Sequence, residues 1–181
     1  LLEISKVIAP QVDTLWMGYF NSFYQHKFDK TLQKAKELGV NGFIIPDLPY
    51  EESLIYNDIF NSKELANISF VAPTDTEQRI KTIVKDSRKF IYLVAYTGIT
   101  GSGTAENLQP IITSIKKYTQ TPVFVGFGVN KKTAKEKVKG ADGVIVGSAF
   151  VEILLNENLS YNEKIINCSE LARFLKSEIN S

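Results

Sequence analysis

The sequence predicts an α/β fold in which parallel strands alternate with helices, as they do in a (β/α) barrel. Apolar stretches of strand length recur along the chain, and segments with helical spacing follow them. Glycines accumulate after the last three predicted strands, whereas a dinucleotide-binding sheet would carry its glycine-rich turn after the first strand. Together these observations favour a barrel over an open, doubly wound sheet.

Strands are predicted from continuous apolar runs of the kind that parallel sheets bury on both faces. They cover residues 12–20, 41–47, 68–72, 90–95, 122–125 and 143–146. Helices are predicted at residues 28–38, from 51 onward, around 80–84 and 108–115, and at 151–179 with a polar interruption near 156–162. Gly39 is expected to end the first of these helices, and Asp75 to cap the helix that contains Ile80.

Residues 1–181 are expected to form one domain, because 181 residues with 44% apolar content can bury one core. A complete (β/α)8 barrel has eight strands and takes roughly 250 residues. Residues 1–8 already have the apolar spacing of a helix, and Leu1 is not a methionine. We therefore expect a barrel that lacks its first two strands, with the missing units upstream of Leu1.

Charge and cysteine content exclude several classes of partner. Twenty-one basic and 20 acidic residues leave a formal charge of +1, so no overall field recruits nucleic acid or an anionic membrane surface. Cys168 is the only cysteine, and no apolar run approaches the ~20 residues of a bilayer span. We expect a cytoplasmic protein. His26 is the sole histidine, so we expect no metal site and no Ser-His triad.

Two glycine pairs near the ends of the last two predicted strands describe a phosphate cradle. Gly126 and Gly128 follow one strand, and Gly147 and Ser148 follow the next. In α/β barrels the loops after strands 7 and 8 and a short helix start offer bare backbone N–H groups to a phosphate. The sequence therefore predicts that the ligand is a phosphorylated small molecule.

Four motifs, in order and at matching spacing, resemble those of the tryptophan synthase alpha subunit, a barrel of the ribulose-phosphate-binding type. Residues 42–53, GFIIPDLPYEES, are similar to its strand 4 motif, and residues 92–101, YLVAYTGITG, to its strand 6 and mobile loop. Residues 124–129, FVGFGV, resemble strand 7, and residues 143–149, GVIVGSA, resemble strand 8. The resemblance covers nearly the whole chain.

The resemblance implies a lyase of tryptophan biosynthesis, an aromatic amino acid pathway. Such a lyase cleaves indole-3-glycerol phosphate by a retro-aldol reaction to indole and glyceraldehyde 3-phosphate. Indole then passes to a beta subunit that carries pyridoxal phosphate, within an alpha2beta2 heterotetramer. The alpha subunit itself holds no cofactor.

The resemblance also implies roles for individual residues. The phosphate contacts would be Gly126, Gly128, Gly147, Ser148 and Gly101. The indole pocket would be formed by Tyr92, Phe127, Ile145, Val71 and Ile45. The lid and its coupling to the partner would involve Asp47, Thr100 and Gly98, and the subunit contact Tyr19 and Asn21. Purely structural roles remain open at this point: glycines that end strands, Asp47 as a helix cap, and core packing for the apolar side chains.

The acid and base of the reaction are not identifiable in the sequence. The family uses a Glu on strand 2 and an Asp in the loop that follows it. Glu3 lies in a superficially similar Leu-Glu-Ile context, but only residues 5–11 separate it from the next predicted strand. We interpret Glu3 as an exposed helix residue, because apolar residues recur around it at helical spacing.

Two other functions stay open. Another phosphosugar barrel enzyme, such as an epimerase or an indole-glycerol phosphate synthase, would share the glycines after strands 7 and 8. It would not explain the motif at residues 46–49 or that at residues 97–101. The third hypothesis is a noncatalytic effector module that binds the phosphate ligand and modulates a partner.

Overall fold

A computed structural model describes residues 1–94, 107–126, 128–131 and 133–180. Their α-helices are α1 (Leu2–Ile8), α2 (Phe20–Tyr24), α3 (Phe28–Glu37), α4 (Tyr50–Ser53), α5 (Asn57–Ser62), α6 (Glu77–Val84), α7 (Gln109–Lys116), α8 (Ala134–Lys137), α9 (Ser148–Leu155) and α10 (Tyr161–Ile179). A 3-10 turn, Leu54–Tyr56, joins α4 to α5. Within these ranges no helix combines the length and the apolar content needed to cross a membrane.

Parallel strands form two sheets. The strands are β1 (Leu15–Met17), β2 (Gly42–Ile44), β3 (Ala66–Asn67), β4 (Ser69–Val71), β5 (Ile91–Val94), β6 (Val123–Gly126) and β7 (Gly143–Ile145). The first sheet has the order β1-β2-β3 and the second β4-β5-β6-β7. The β1–β2, β2–β3, β5–β6 and β6–β7 pairs all run parallel. The described strands do not by themselves form a closed barrel, but they confirm the parallel α/β arrangement.

The described chain groups into two compact units. Unit 1 comprises residues 1–70 and 86–89, and unit 2 comprises residues 71–85 and 90–181. Each unit has apolar side chains that are withdrawn from solvent.

The core of unit 1 is aromatic. Phe43 on β2 is completely buried and meets three rings edge to face: Trp16 at 5.7 Å, Phe23 at 5.2 Å and Phe60 at 5.9 Å between ring centroids. Such edge-to-face pairs add to the free energy of burial itself. The Trp16 indole N–H donates to the Ser5 hydroxyl at 2.8 Å, so α1 is tied to β1 by a buried hydrogen bond.

Unit 2 contains the continuous apolar strands that the sequence predicts. Ile91, Tyr92 and Leu93 on β5 are all buried although successive side chains point to opposite faces. Both faces of this strand are therefore covered, as is expected of a parallel sheet. A second buried cluster, of Val129, Ala134, Leu171 and Leu175, packs α8 and α10 together with the turn after β6.

Most of the predicted helices and strands are present, and the following details differ from the prediction. Thr76, not Asp75, caps α6 by accepting from the Arg79 N–H, while Asp75 accepts from the Ala72 N–H at 2.8 Å and pairs with the Arg79 guanidinium. The predicted strand at 12–20 is shorter, since Phe20 already begins α2. The short strand β3 was not predicted, because two residues carry no detectable alternation.

We predict that Ser5→Ala lowers the free energy of unfolding by about 1–3 kcal/mol, because it leaves the buried Trp16 N–H without its acceptor. Urea denaturation followed by tryptophan fluorescence measures the change. Ser62→Ala is the matched control, since Ser62 is exposed and its hydroxyl bonds only to the Ile59 carbonyl. Equal effects of the two substitutions would contradict a role for the Trp16 bond.

Candidate phosphate site and its surroundings

Gly126 is the last residue of β6 and lies against the ring of Tyr92. A Cβ built on Gly126 would overlap the ring and hydroxyl of Tyr92. The register pairs Val94 with Gly126 and Gly126 with Ile145. Because Tyr92 is two residues before Val94, Tyr92, Gly126 and Ile145 share one face of the sheet. The missing side chain at Gly126 therefore makes room for Tyr92, a role that the sequence analysis did not assign to it.

Tyr92 brings a neutral hydroxyl to this face of the sheet. The residue is 5% exposed, and its burial raises the pKa of the phenol above the ordinary value. The hydroxyl therefore stays protonated at neutral pH, and it can donate or accept a hydrogen bond. Val71 on β4 is 1% exposed and Ile145 on β7 is partly buried, so both supply apolar surface within unit 2.

Gly128 occupies a left-handed backbone conformation in the turn that follows β6. Its φ is +64°, a value that favours glycine over residues with a Cβ. The residue is exposed. Its carbonyl accepts a hydrogen bond of 2.7 Å from the Thr133 hydroxyl. The turn is thus both open to a ligand on the Gly128 side and held in place by the chain that follows.

Gly147 and Ser148 form the open start of α9. Gly147 is the N-cap, its carbonyl accepts from Phe150 and Val151, and a Cβ there would meet no atom within 4 Å. Ser148 is the first residue of the helix and is exposed. The first N–H groups of a helix have no partner within the helix, and the helix dipole makes this end positive. Such a helix start attracts an anion.

Asp47 caps a helix, but a different one from that considered in the sequence analysis. Its Oδ1 accepts from the N–H of Phe20, at the start of α2, at 2.7 Å. The nearby helix α4 begins after Pro49 without a side-chain cap. Tyr19, which is 67% exposed, and Asn21, also exposed, flank the capped residue. The bond therefore holds both predicted subunit-contact residues in place.

The remaining predicted residues are Ile45, which belongs to unit 1, and four residues that the structure does not describe. Ile45 is buried in the aromatic core of unit 1. Gly98, Thr100, Gly101 and Phe127 lie outside the described residues. Their assigned roles stay predictions.

Glu3 and His26 are exposed, and each contacts a nearby residue of the chain. Glu3 lies on α1 and pairs with Lys6 at 2.8 Å, and its hydrogen bond with that lysine lowers the pKa of the carboxyl. His26 Nδ1 is 2.9 Å from the Ser22 carbonyl oxygen. Among the residues that the structure describes, no group of three or more His, Cys, Asp or Glu side chains could hold a metal ion.

Thr133 is the residue at this edge of the sheet that the sequence analysis missed. Its hydroxyl is the partner of the Gly128 carbonyl. A Thr three residues after Asn130 is the kind of spacing seen at capped helix starts, and that spacing was the available signal.

We predict that Gly126→Ala destabilises the protein by about 1–3 kcal/mol, because the added methyl group overlaps Tyr92. Tyr92→Val removes the obstructing ring, so the same alanine should cost much less in that background. A double-mutant cycle measured by urea denaturation gives the coupling free energy. Gly147→Ala is the control and should cost less than about 1 kcal/mol, since no atom lies near its new Cβ and only the N-cap preference for glycine over alanine is lost. Additive effects at residues 92 and 126 would contradict the packing described above.

Comparison with known proteins identifies the group to which these features belong. Residues 1–180 match the family described as "Tryptophan synthase alpha chain". The tryptophan synthase alpha chain of Wolinella succinogenes is 52% identical over 182 residues, which cover 100% of this chain and 71% of that protein. The Methanocaldococcus jannaschii alpha chain is 37% identical over 165 residues, 86% of this chain and 59% of the relative.

A solved structure extends the comparison to the fold. The tryptophan synthase subunit alpha from Campylobacter jejuni is 32% identical and superposes with a TM-score of 0.79 over 98% of this chain and 68% of that protein. The structural neighbours are (β/α)8 barrels, which confirms the fold class predicted from the sequence. The chain thus spans between 59% and 71% of the length of these relatives. The chain belongs to the tryptophan synthase alpha chain family, whose members are lyases that catalyse the retro-aldol cleavage of indole-3-glycerol phosphate.

Proposed function

We propose that the protein cleaves indole-3-glycerol phosphate to indole and glyceraldehyde 3-phosphate, and that unit 2 of this chain holds the substrate. Family membership over residues 1–180 supports the reaction. In that reaction the bond between the indole ring carbon and the glycerol chain breaks. The ring carbon gains a proton, and a glycerol hydroxyl loses one to become the aldehyde. Nothing in the comparisons favours an epimerase, an indole-glycerol phosphate synthase or an effector module.

The phosphate binds at the carboxyl ends of β6 and β7 in this proposal. The open start of α9 carries the argument, because Gly147 leaves space above the first N–H groups of the helix. No acidic side chain lies in the first turn of α9 to repel the anion. Gly128 adds exposed backbone from the turn after β6. Gly126, Ser148 and Gly101 are the remaining proposed phosphate contacts.

The indole ring packs against one face of the second sheet. Tyr92 and Ile145 share that face by register, and Tyr92 has both an apolar ring and a neutral hydroxyl. Val71 contributes from β4, and we propose Phe127 as a further contact. Gly98 and Thr100 belong to the proposed lid, which excludes water while the carbon–carbon bond breaks.

The partner in this proposal is the beta subunit of tryptophan synthase, in an alpha2beta2 assembly within the cytoplasm. That subunit carries the pyridoxal phosphate and consumes the indole. Tyr19 and Asn21 form part of the contact, because both are exposed and follow β1 at its carboxyl end. Asp47 links this segment to β2 through its bond to the Phe20 N–H, so it is placed to transmit a shift at the contact.

We predict that Gly147→Asp weakens binding of glycerol 3-phosphate by tenfold or more, while Gly147→Asn weakens it much less. A Cβ at residue 147 meets no atom within 4 Å, and both residues are favourable N-caps, so neither should unfold α9. The aspartate places a negative charge at the proposed anion site, where repulsion at a few ångströms amounts to about 4 kcal/mol at an effective dielectric constant of ~20. Isothermal titration calorimetry on the protein expressed from its whole gene measures both dissociation constants. Equal affinities for the two variants would place the phosphate elsewhere.

We predict that Asp47→Asn leaves the free energy of unfolding nearly unchanged but reduces activation of the lyase by the beta subunit. An asparagine oxygen can still accept from the Phe20 N–H, so the cap persists while the charge is lost. The rate of indole release with and without the beta subunit is the measurement. Asp58→Asn, at an exposed position on α5, is the matched control. Activation equal to that of the wild type would reduce Asp47 to a helix cap.

A further inference from the structure

The Thr133 hydroxyl cross-links the turn between β6 and α8. The Thr133 Oγ1 donates to the Gly128 carbonyl at 2.7 Å and accepts from the Asn130 N–H at 3.0 Å. The Asn130 side-chain oxygen is a competing acceptor at 3.4 Å, but the shorter distance favours Gly128 for the single hydroxyl proton. Thr133 therefore bonds to the backbone on both sides of Val129.

The position of Thr133 is itself determined by its surroundings. Its N–H lies 3.3 Å from Asn130 Oδ1, and the Asn130 carbonyl accepts from the Ala134 N–H at 3.0 Å. Asn130 and Thr133 thus cap each other at the start of α8, in the manner of a capping box. Val129 is 6% exposed and packs in the cluster that contains Ala134, Leu171 and Leu175. The turn is consequently anchored to α8 by hydrogen bonds and to α10 by apolar packing.

Holding the Gly128 carbonyl fixes more than one atom. A trans peptide is planar, so the direction of the Gly128 carbonyl also sets the direction of the Val129 N–H. Glycine has the largest range of backbone conformations, and Gly128 at a φ of +64° lacks any side chain to restrict it. Without the Thr133 bond, the Gly128 backbone would lose its conformational freedom only when a ligand binds. That loss of entropy would weaken the affinity for the ligand.

We propose that Thr133 is a positioning residue of the phosphate site: its hydroxyl holds the Gly128 backbone in the conformation that receives the phosphate of the substrate. The inference rests on the phosphate site of the proposed function and assigns a residue that does not itself touch the anion. The role requires a group that both donates and accepts a hydrogen bond. Serine can therefore replace threonine here, and valine cannot.

The test compares Thr133→Val, which keeps the shape but removes the hydroxyl, with Thr133→Ser, which keeps the hydroxyl. The dissociation constants of glycerol 3-phosphate and of indole are measured by calorimetry on the protein expressed from its whole gene. We expect Thr133→Val to weaken glycerol 3-phosphate about tenfold, as the loss of one positioning hydrogen bond would, and to leave indole unchanged. Thr133→Ser should bind both within about twofold of the wild type.

Thr82→Val is the matched control, since the Thr82 hydroxyl also bonds to a backbone carbonyl, on the exposed side of α6. Hydrogen exchange gives a readout that does not depend on ligand: the Val129 and Asn130 amides should exchange faster in Thr133→Val, while those of α10 keep their rates. If only the affinity for glycerol 3-phosphate and the exchange rates of these two amides change, Thr133 positions the turn and the substitution has not disturbed the rest of the structure.

Several results would overturn the inference. They are wild-type affinity of Thr133→Val for glycerol 3-phosphate, an equal loss of both ligands, unchanged exchange at Val129 and Asn130, or a serine variant as weak as the valine variant. If the wild-type protein itself binds no glycerol 3-phosphate, the proposed phosphate site is wrong and this inference fails with it. That outcome is distinct from one in which the wild type binds and Thr133→Val binds equally well.

Discussion

The parallel register of β5, β6 and β7 is the constraint on which the candidate site depends. Pairing of Val94 with Gly126 and of Gly126 with Ile145 brings the carboxyl ends of three strands to one edge of the sheet. That edge carries the turn with Gly128 and the start of α9 at Gly147. A shift of one residue in any pair would reverse the faces of the side chains and separate Tyr92 from the glycine that accommodates its ring.

Glycines at this edge have different physical roles although the sequence presents them alike. Gly126 is buried, and the Tyr92 ring occupies the space that a Cβ would take. Glycine is therefore needed here for packing. Gly128 is exposed and has a positive φ, so backbone conformation requires it. Gly147 has an ordinary φ, and no atom lies near the position of a Cβ. Its missing side chain therefore leaves the start of α9 accessible. Among these three glycines, Gly128 and Gly147 are the exposed members of the proposed phosphate site.

Features with a local cause could be predicted from the sequence. The helix at residues 28–38 appears as Phe28–Glu37, because its apolar spacing is regular and Gly39 adopts the φ of +80° that ends it. The continuous apolar runs likewise form parallel strands, because a parallel sheet buries both faces of each strand. The glycines of the proposed phosphate site stood out because they lie a short distance after such strands.

Features that depend on contacts between residues far apart in the sequence could not be predicted from local patterns. Asp47 caps a helix that begins 27 residues earlier, so its spacing from α4 pointed to the wrong helix. The packing of Tyr92 against Gly126 was not foreseen, because nothing in the segment around Gly126 reveals the Tyr92 ring. Tertiary contacts decide these two cases, and local sequence carries little information about them. Thr133 is a local case: it lies five residues after Gly128 and was overlooked because the motif that guided the analysis ends at residue 129.

The most direct test of the account is a titration of the ¹⁵N-labelled protein with glycerol 3-phosphate, followed by amide chemical shifts. The account predicts that the largest shifts occur at Gly128, Val129, Gly147 and Ser148 and saturate with a single dissociation constant. Shifts confined to other parts of the chain, or no saturable change at these four amides, would contradict the proposal that this edge of the sheet binds the substrate's phosphate.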